Sequence, residues 1–282
     1  MKLDLQPPTP QQYFESLVQS DEHFPLLEAA ISLGQDETPD LDVQEVLAKV
    51  DLLCDRLKRR IPADAAAMHK LRMLNQFFFT DMGFSVNSND YHDPENSYLD
   101  AVLRTRRGIP ISLAVLWLEL AHHLGLSAAG VSFPGHFLVK VSLPQGQVVI
   151  DPLTGHSLSR EELAERLEPL RQRGLDEELV PLGLFLQAAE PRDIVARMLR
   201  NLKEIHTNQE DWARLVAVLD RLVTLLPQAW EGYRDRGLVR AQLGQVEGAL
   251  ADLENYLANA EYPPDHAFIA ERVEALRAEK NA

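Results

Sequence analysis

The chain has 282 residues, 45% of them hydrophobic, enough apolar material for one large domain or two modest ones. A formal net charge of −15 surrounds it with a negative field that repels phosphate backbones and anionic headgroups, which excludes nucleic acid and membrane surfaces as first expectations. One cysteine, no signal-like start at Met1–Gln6 and no run near the roughly 20 apolar residues that cross a bilayer together predict a soluble, cytoplasmic protein.

Thr9-Pro10-Gln11-Gln12 opens the first helix with an N-cap residue, proline at the first helical position and Gln where a capping box needs it. A second helix is expected over Phe24–Leu33, ended by Gly34 and a polar run to Pro39. The third spans about Leu41–Arg60, with Val43, Val46, Val50, Leu53 and Leu57 at helical spacing. Cys54 lies on that stripe, where a thiol acts as a small hydrophobe. A fourth covers about Ala63–Phe79. Gly83–Asn96, GFSVNSNDYHDPEN, has turn formers and no apolar period, so it reads as a loop of functional length. Ser97–Arg106 is a short helix, and Gly108-Ile109-Pro110 precedes the most apolar one, Ser112–Leu124, closed by Gly125. The basic clusters Lys58-Arg59-Arg60 and Arg104, Arg106, Arg107 read as solvated helix faces.

Beyond Gly125 the period changes to short runs rich in Val, Phe and Ile: Ala128–Phe133, Phe137–Leu143 and Gln147–Ile150, the last two joined by a Pro144-Gln145-Gly146 turn. Ser159-Arg160-Glu161-Glu162 is a capping box for one more helix, to about Arg173. Pro191–Lys280 has no strand-like run and shows a 34-residue spacing in the pairs Leu199/Tyr233, Leu215/Ala249 and Leu219/Leu253, with Gly237 and Gly244 at close-packing and turn positions. The pattern resembles two tetratricopeptide units and a capping helix, Asp265–Arg277, although Lys203 stands where a small residue is usual.

Three polar residues mark joints between these elements. Ser112 begins the apolar helix, His136 precedes a strand and Asp151 ends the next, the types of nucleophile, base and orienting carboxylate. A hydroxyl at a helix N-terminus is expected to be exposed where the macrodipole favours a forming anion, and a hairpin brings His136 and Asp151 together, so the three residues, 24 and 15 apart, can converge. Each residue also has a purely structural reading: Ser112 as a helix cap, His136 as a half-buried strand residue, Asp151 before Pro152 as a turn opener. Tyr91, His92 and Asn96, in the long loop before the site, either wall a cleft or serve turn chemistry. His122 and His123 point to different faces of one helix, and no metal or nucleotide motif occurs, so no cofactor is expected.

The segment Arg106–Pro152 resembles the core of transglutaminase-like, papain-related domains: a Gly-containing turn, Cys at a helix start, a Leu-Gly turn, a strand, His before the next strand, then Asp-Pro. With DPENSYLDAVLRTRRGIPISL at Asp93–Leu113 and the repeat-like tail, the chain is similar to the SirB-type bacterial family of transglutaminase-like proteins with tetratricopeptide tails, whose core also resembles part of a eukaryotic F-box protein. That resemblance implies an α+β transglutaminase-like domain with N-terminal helices over 1–190, its core at 106–155, followed by an all-α helical repeat region over 191–282. It also places Ser112 where the enzymes carry cysteine. A thiol is stored as thiolate by a helix N-terminus and an imidazolium, whereas a serine hydroxyl needs a base at the moment of attack. Two functions follow from different classes. One is a non-catalytic or regulatory module that binds a protein or peptide partner through the repeats. The other is a hydrolase or acyltransferase acting on an amide or ester through Ser112, His136 and Asp151.

Overall fold

The computed structural model describes residues 7–171 and 181–281; the expected helix end at Arg173 and the Met1–Gln6 segment lie outside them. In chain order the first half contains α1 Pro10–Leu17, α2 Leu26–Ser32, α3 Val43–Lys58, α4 Ala67–Asn75, β1 Ser85–Val86, α5 Leu99–Thr105, β2 Arg107–Gly108 and α6 Pro110–His123. Four strands follow, β3 Ser127–Val131, β4 Leu138–Leu143, β5 Gly146–Ile150 and β6 Ser157–Leu158. The remainder is helical: α7 Arg160–Arg171, α8 Leu182–Phe185, α9 Pro191–Asn208, α10 Trp212–Leu225, α11 Trp230–Gln242, α12 Val246–Asn259 and α13 His266–Lys280. No helix among the described residues is long and apolar enough to cross a membrane.

Contacts group these elements into two compact units. One comprises 25–34 and 40–198; the other comprises 7–24, 35–39 and 199–281 of the described residues. The boundary drawn from sequence at 190/191 differs from this grouping twice, because α1 joins the C-terminal helices and the first turns of α9 stay with the α+β unit.

The α+β unit is built on α6, which is buried on every side up to its last turn, where His122 and His123 are exposed. Proline occupies its first position, so the helix starts at Pro110 rather than at Ser112. Trp117 is fully buried, and its indole N–H donates to Asn75 Oδ1 at 3.0 Å, satisfying a group that burial would otherwise strand. The four-stranded sheet is antiparallel in the order β3-β4-β5-β6, with Val131 opposite Leu138, Val139 opposite Ile150 and Val149 opposite Leu158. α6 packs on β3 and β4. Val131, Phe133, Leu138 and Val149 form a separate cluster with Leu163 and Leu167 of α7. The fourth strand, β6, was not expected; two residues are too short to show a period.

The expected fourth helix divides. α4 stops at Asn75, and a wider turn over Gln76–Asp81 follows, with the Met82 N–H donating to Phe77 O at 2.8 Å. The widening leaves Phe77 and Phe78 buried and stacks Phe78 on Phe84, ring centroids 4.3 Å apart. Within the expected loop, β1 pairs in parallel with β2, Ser85 opposite Arg107.

In the helical unit, α10 to α13 pack each against the next in chain order. The positions 34 apart, Leu215/Ala249 and Leu219/Leu253, are all buried. Gly237 is required by close approach, since a Cβ there would lie 2.7 Å from Leu253 Cγ. Gly244 turns the chain at φ +70°. Lys203, too long for a close-packing position, pairs instead with Asp235 of α11. α1, with its capping box formed as expected, packs on α10 and buries Phe14 beneath the Arg221 guanidinium, 4.9 Å from the ring centroid. Asp36 closes the same group by accepting both Arg221 Nε and Nη2, at 2.6 and 2.7 Å.

Candidate functional site

His136 is presented by a tight turn. Pro134 supplies the fixed φ of the second turn position, Gly135 at φ +69° supplies the left-handed third, and the His136 N–H closes on Phe133 O at 3.0 Å. β4 begins two residues later, and Asp151 directly follows β5, the strand paired with β4. Hairpin register therefore places both at one end of the sheet, and His136 Nε2 meets Asp151 Oδ1 at 3.0 Å. The same carboxylate oxygen accepts the Leu153 N–H at 3.0 Å, the bond of an Asp-Pro turn, so Asp151 both opens the turn and hydrogen-bonds His136.

Asp151 Oδ2 accepts from Arg166 Nη2 of α7 at 3.0 Å. Burial alone would raise the Asp151 pKa, but the His136 hydrogen bond, the Leu153 N–H and Arg166 outweigh it and hold the carboxyl at about 2. An ionised Asp151 fixes the proton of a neutral His136 on Nε2, which leaves the Nδ1 lone pair open. Nδ1 makes no hydrogen bond among the described residues.

Ser112 is not part of this pair. Its side chain is 0% exposed, its O–H donates to Asn96 O at 2.6 Å, and its oxygen accepts the N–H of Ile109, the helix N-cap residue, at 3.1 Å. Among the described residues it makes no hydrogen bond to His136. It is also not the N-cap itself: it is the third helical residue, bonding back to the cap in the manner of half a capping box. Gly108 makes room for it, as a Cβ there would stand 2.7 Å from the hydroxyl oxygen.

Asn96 does not wall a cleft. It is 2% exposed, and besides accepting from Ser112 through its carbonyl it donates through Nδ2 to Asp90 O at 2.7 Å and accepts through Oδ1 from Asn87 at 3.2 Å. It is a buried strut that folds the 87–96 loop onto the start of α6. Tyr91 and His92 are exposed, their rings edge to face with centroids 5.5 Å apart. Although the residue is about half exposed, partial desolvation of its phenol pushes the Tyr91 pKa up, and the Arg197 cation pulls it partly back. Arg197, from the first half of α9, donates to His136 O at 2.9 Å and more weakly to Phe133 O at 3.4 Å, so it braces the histidine turn from behind.

Arg166 and Arg197 were not singled out in the sequence. Both sit on helices among other charged residues, and no spacing rule ties them to a hairpin far along the chain. Cys54, pushed up to about 12 by burial and then by Glu119, Asp51 and Asp55, is an inert thiol. No group of three or more His, Cys, Asp or Glu residues among those described could hold a metal ion.

Comparison with known proteins agrees with this architecture. Residues 44–200 match the model of the transglutaminase-like superfamily, and residues 202–274 match a tetratricopeptide repeat model. A UPF0162 protein of Xylella fastidiosa (strain Temecula1) is 40% identical over 87% of this chain and 87% of its own. The corresponding protein of Pseudomonas aeruginosa is 28% identical over 89% and 90%, and YchA of Escherichia coli (strain K12) 26% identical over 85% and 88%. Menin, whose crystal structure reveals its binding site for Mixed Lineage Leukemia protein, aligns over 93% of this chain and 72% of its own at 13% identity and a TM-score of 0.39, too low to carry a conclusion. The chain belongs to the transglutaminase-like superfamily and, within it, to the UPF0162 family.

Proposed function

We propose that this chain is a SirB-type cytoplasmic protein whose transglutaminase-like domain is a non-catalytic binding or regulatory module, with the helical repeats holding a protein or peptide partner. The observation that carries the reading is the engagement of Ser112. A nucleophile must reach both a substrate carbonyl and a base, and this hydroxyl is 0% exposed and hydrogen-bonded to backbone on both sides. Attack would require breaking the 2.6 Å bond to Asn96 and opening the helix start. The His136–Asp151 pair favours a serine hydrolase or acyltransferase in isolation, yet without a nucleophile it is an oriented imidazole able to hydrogen-bond a ligand. Tetratricopeptide units stack into extended concave surfaces suited to proteins, and the charge of −15 disfavours nucleic acid and anionic membranes.

The test is a fluorophosphonate probe applied to the full chain and to Ser112→Ala. The expected result is no labelling that depends on Ser112; labelling lost in the variant would overturn the reading. In Ser112→Cys, iodoacetamide is expected to react only on unfolding, and fast alkylation of the native protein that disappears with His136→Ala would restore the catalytic alternative.

A further inference from the structure

α3 and α5 border a cleft of about 450 Å³, lined by residues other than those around His136. A cleft of this size holds a small organic ligand. Its walls are aliphatic: Val46, Leu53 and Leu103 are nearly buried, whereas Leu52 is 61% exposed. The polar groups on it are unusually short of partners. Arg106 caps α5 in the left-handed conformation, φ +60°, and its guanidinium lies 4.7 Å over the Phe84 ring. Arg106 Nη1 is buried with no hydrogen-bond partner, and so is Asp100 Oδ1, pressed against Gly34. Arg56, at the exposed rim of the cleft, has no ion pair or hydrogen bond among the described residues and is free to swing over it.

The two other cations on the cleft are already paired, Arg104 with Glu95 at 2.9 Å and Lys49 with Glu45 at 2.8 Å. That leaves Arg56 and Arg106 as like charges held near one another. Burial lowers the Arg106 pKa and the Arg56 charge lowers it further, the sign expected of neighbouring like charges. Asp100 also lines the cleft, with burial raising its carboxyl above the usual value and its Oδ1 turned into the protein. In a chain of net charge −15, two guanidinium groups without protein counter-charges beside apolar walls form a local positive patch.

We propose that this cleft is a binding site for a small organic anion with an aliphatic body, its carboxylate held by Arg56 and Arg106 and its chain laid against Val46, Leu52, Leu53 and Leu103. Guanidinium forks match carboxylate geometry, and charge-assisted bonds of this kind are the stronger ones. Octanoate is the probe, titrated calorimetrically into the full chain, with acetate and octanol as the headgroup-only and tail-only comparisons. Octanoate is expected to bind at least about tenfold more tightly than either. Arg56→Met and Arg106→Met, which keep the stems and remove the charges, should each weaken octanoate about tenfold or more, while Arg104→Met leaves it unchanged. Thermal melts of the variants establish that they fold. Failure of octanoate to bind, equal affinity for octanol, or unchanged binding in both arginine variants would overturn the proposal.

Discussion

At the scale of single residues, Ser112 and Asp151 make opposite use of burial. The Ser112 hydroxyl satisfies the buried Ile109 N–H and Asn96 carbonyl, so Ser112→Ala strands both. A cost of about 1–3 kcal/mol is expected in urea unfolding, with no change in any activity. Asp151 is ionised against His136, Leu153 and Arg166 and held at about 2, below the ordinary carboxyl value of 3.8. A carboxyl depressed in the folded state contributes stability that is fully present above its unfolded pKa and is lost as pH falls through the folded one. The contribution is about 2 kcal/mol at neutral pH. Asp151→Asn should therefore be less stable than the parent by roughly that amount at pH 7, and the deficit should close as the pH is lowered from about 4 toward 2. A deficit independent of pH over that window would mean that the second acceptor oxygen, which an amide lacks, and not the charge, is what the site requires.

At the scale of elements, the histidine turn depends on a helix that the sequence does not connect to it. Arg197→Met is expected to cost about 1–3 kcal/mol and to speed amide exchange at His136, because the part-buried His136 carbonyl loses its donor and the Phe133 carbonyl keeps only the turn's own N–H; unchanged exchange would mean that the Pro134-Gly135 turn holds itself. The difference between what was legible and what was not follows the range of the rules involved. The Thr9 and Ser159 capping boxes, the Pro144-Gln145 hairpin connection and the 34-residue spacing are local patterns, and each is formed. The His136–Asp151 meeting was legible because a hairpin's register is set by its own turn. Ser112's burial was not, since it depends on Asn96, 16 residues earlier, being folded over the helix start by its own side-chain bonds to Asn87 and Asp90. A sequence shows that serine begins a helix; it does not show what covers the serine.

At the scale of the whole molecule, the unexpected grouping is that α1 and residues 35–39 belong with the C-terminal helices. The physical reason is Arg221, which is 0% exposed on α10 and finds its counter-charge in Asp36 and its stacking surface in Phe14. Charged residues on amphipathic helices look alike in sequence, so nothing marked this arginine as interior. Removing one partner of a buried ion pair leaves an uncompensated charge, and Asp36→Ala is expected to destabilise the helical unit by about 3–5 kcal/mol. Combining it with Arg221→Met should recover most of that loss, since an unbranched apolar chain fills the space over Phe14 without a charge to solvate. Denaturant unfolding of the two variants separates the causes. If the double variant is as unstable as the single one, the guanidinium matters through its packing on Phe14 and its bond geometry, and the ion pair is not what fastens the N-terminal segment. If the double variant recovers, the charge pairing explains why the N-terminal helix groups with the repeats.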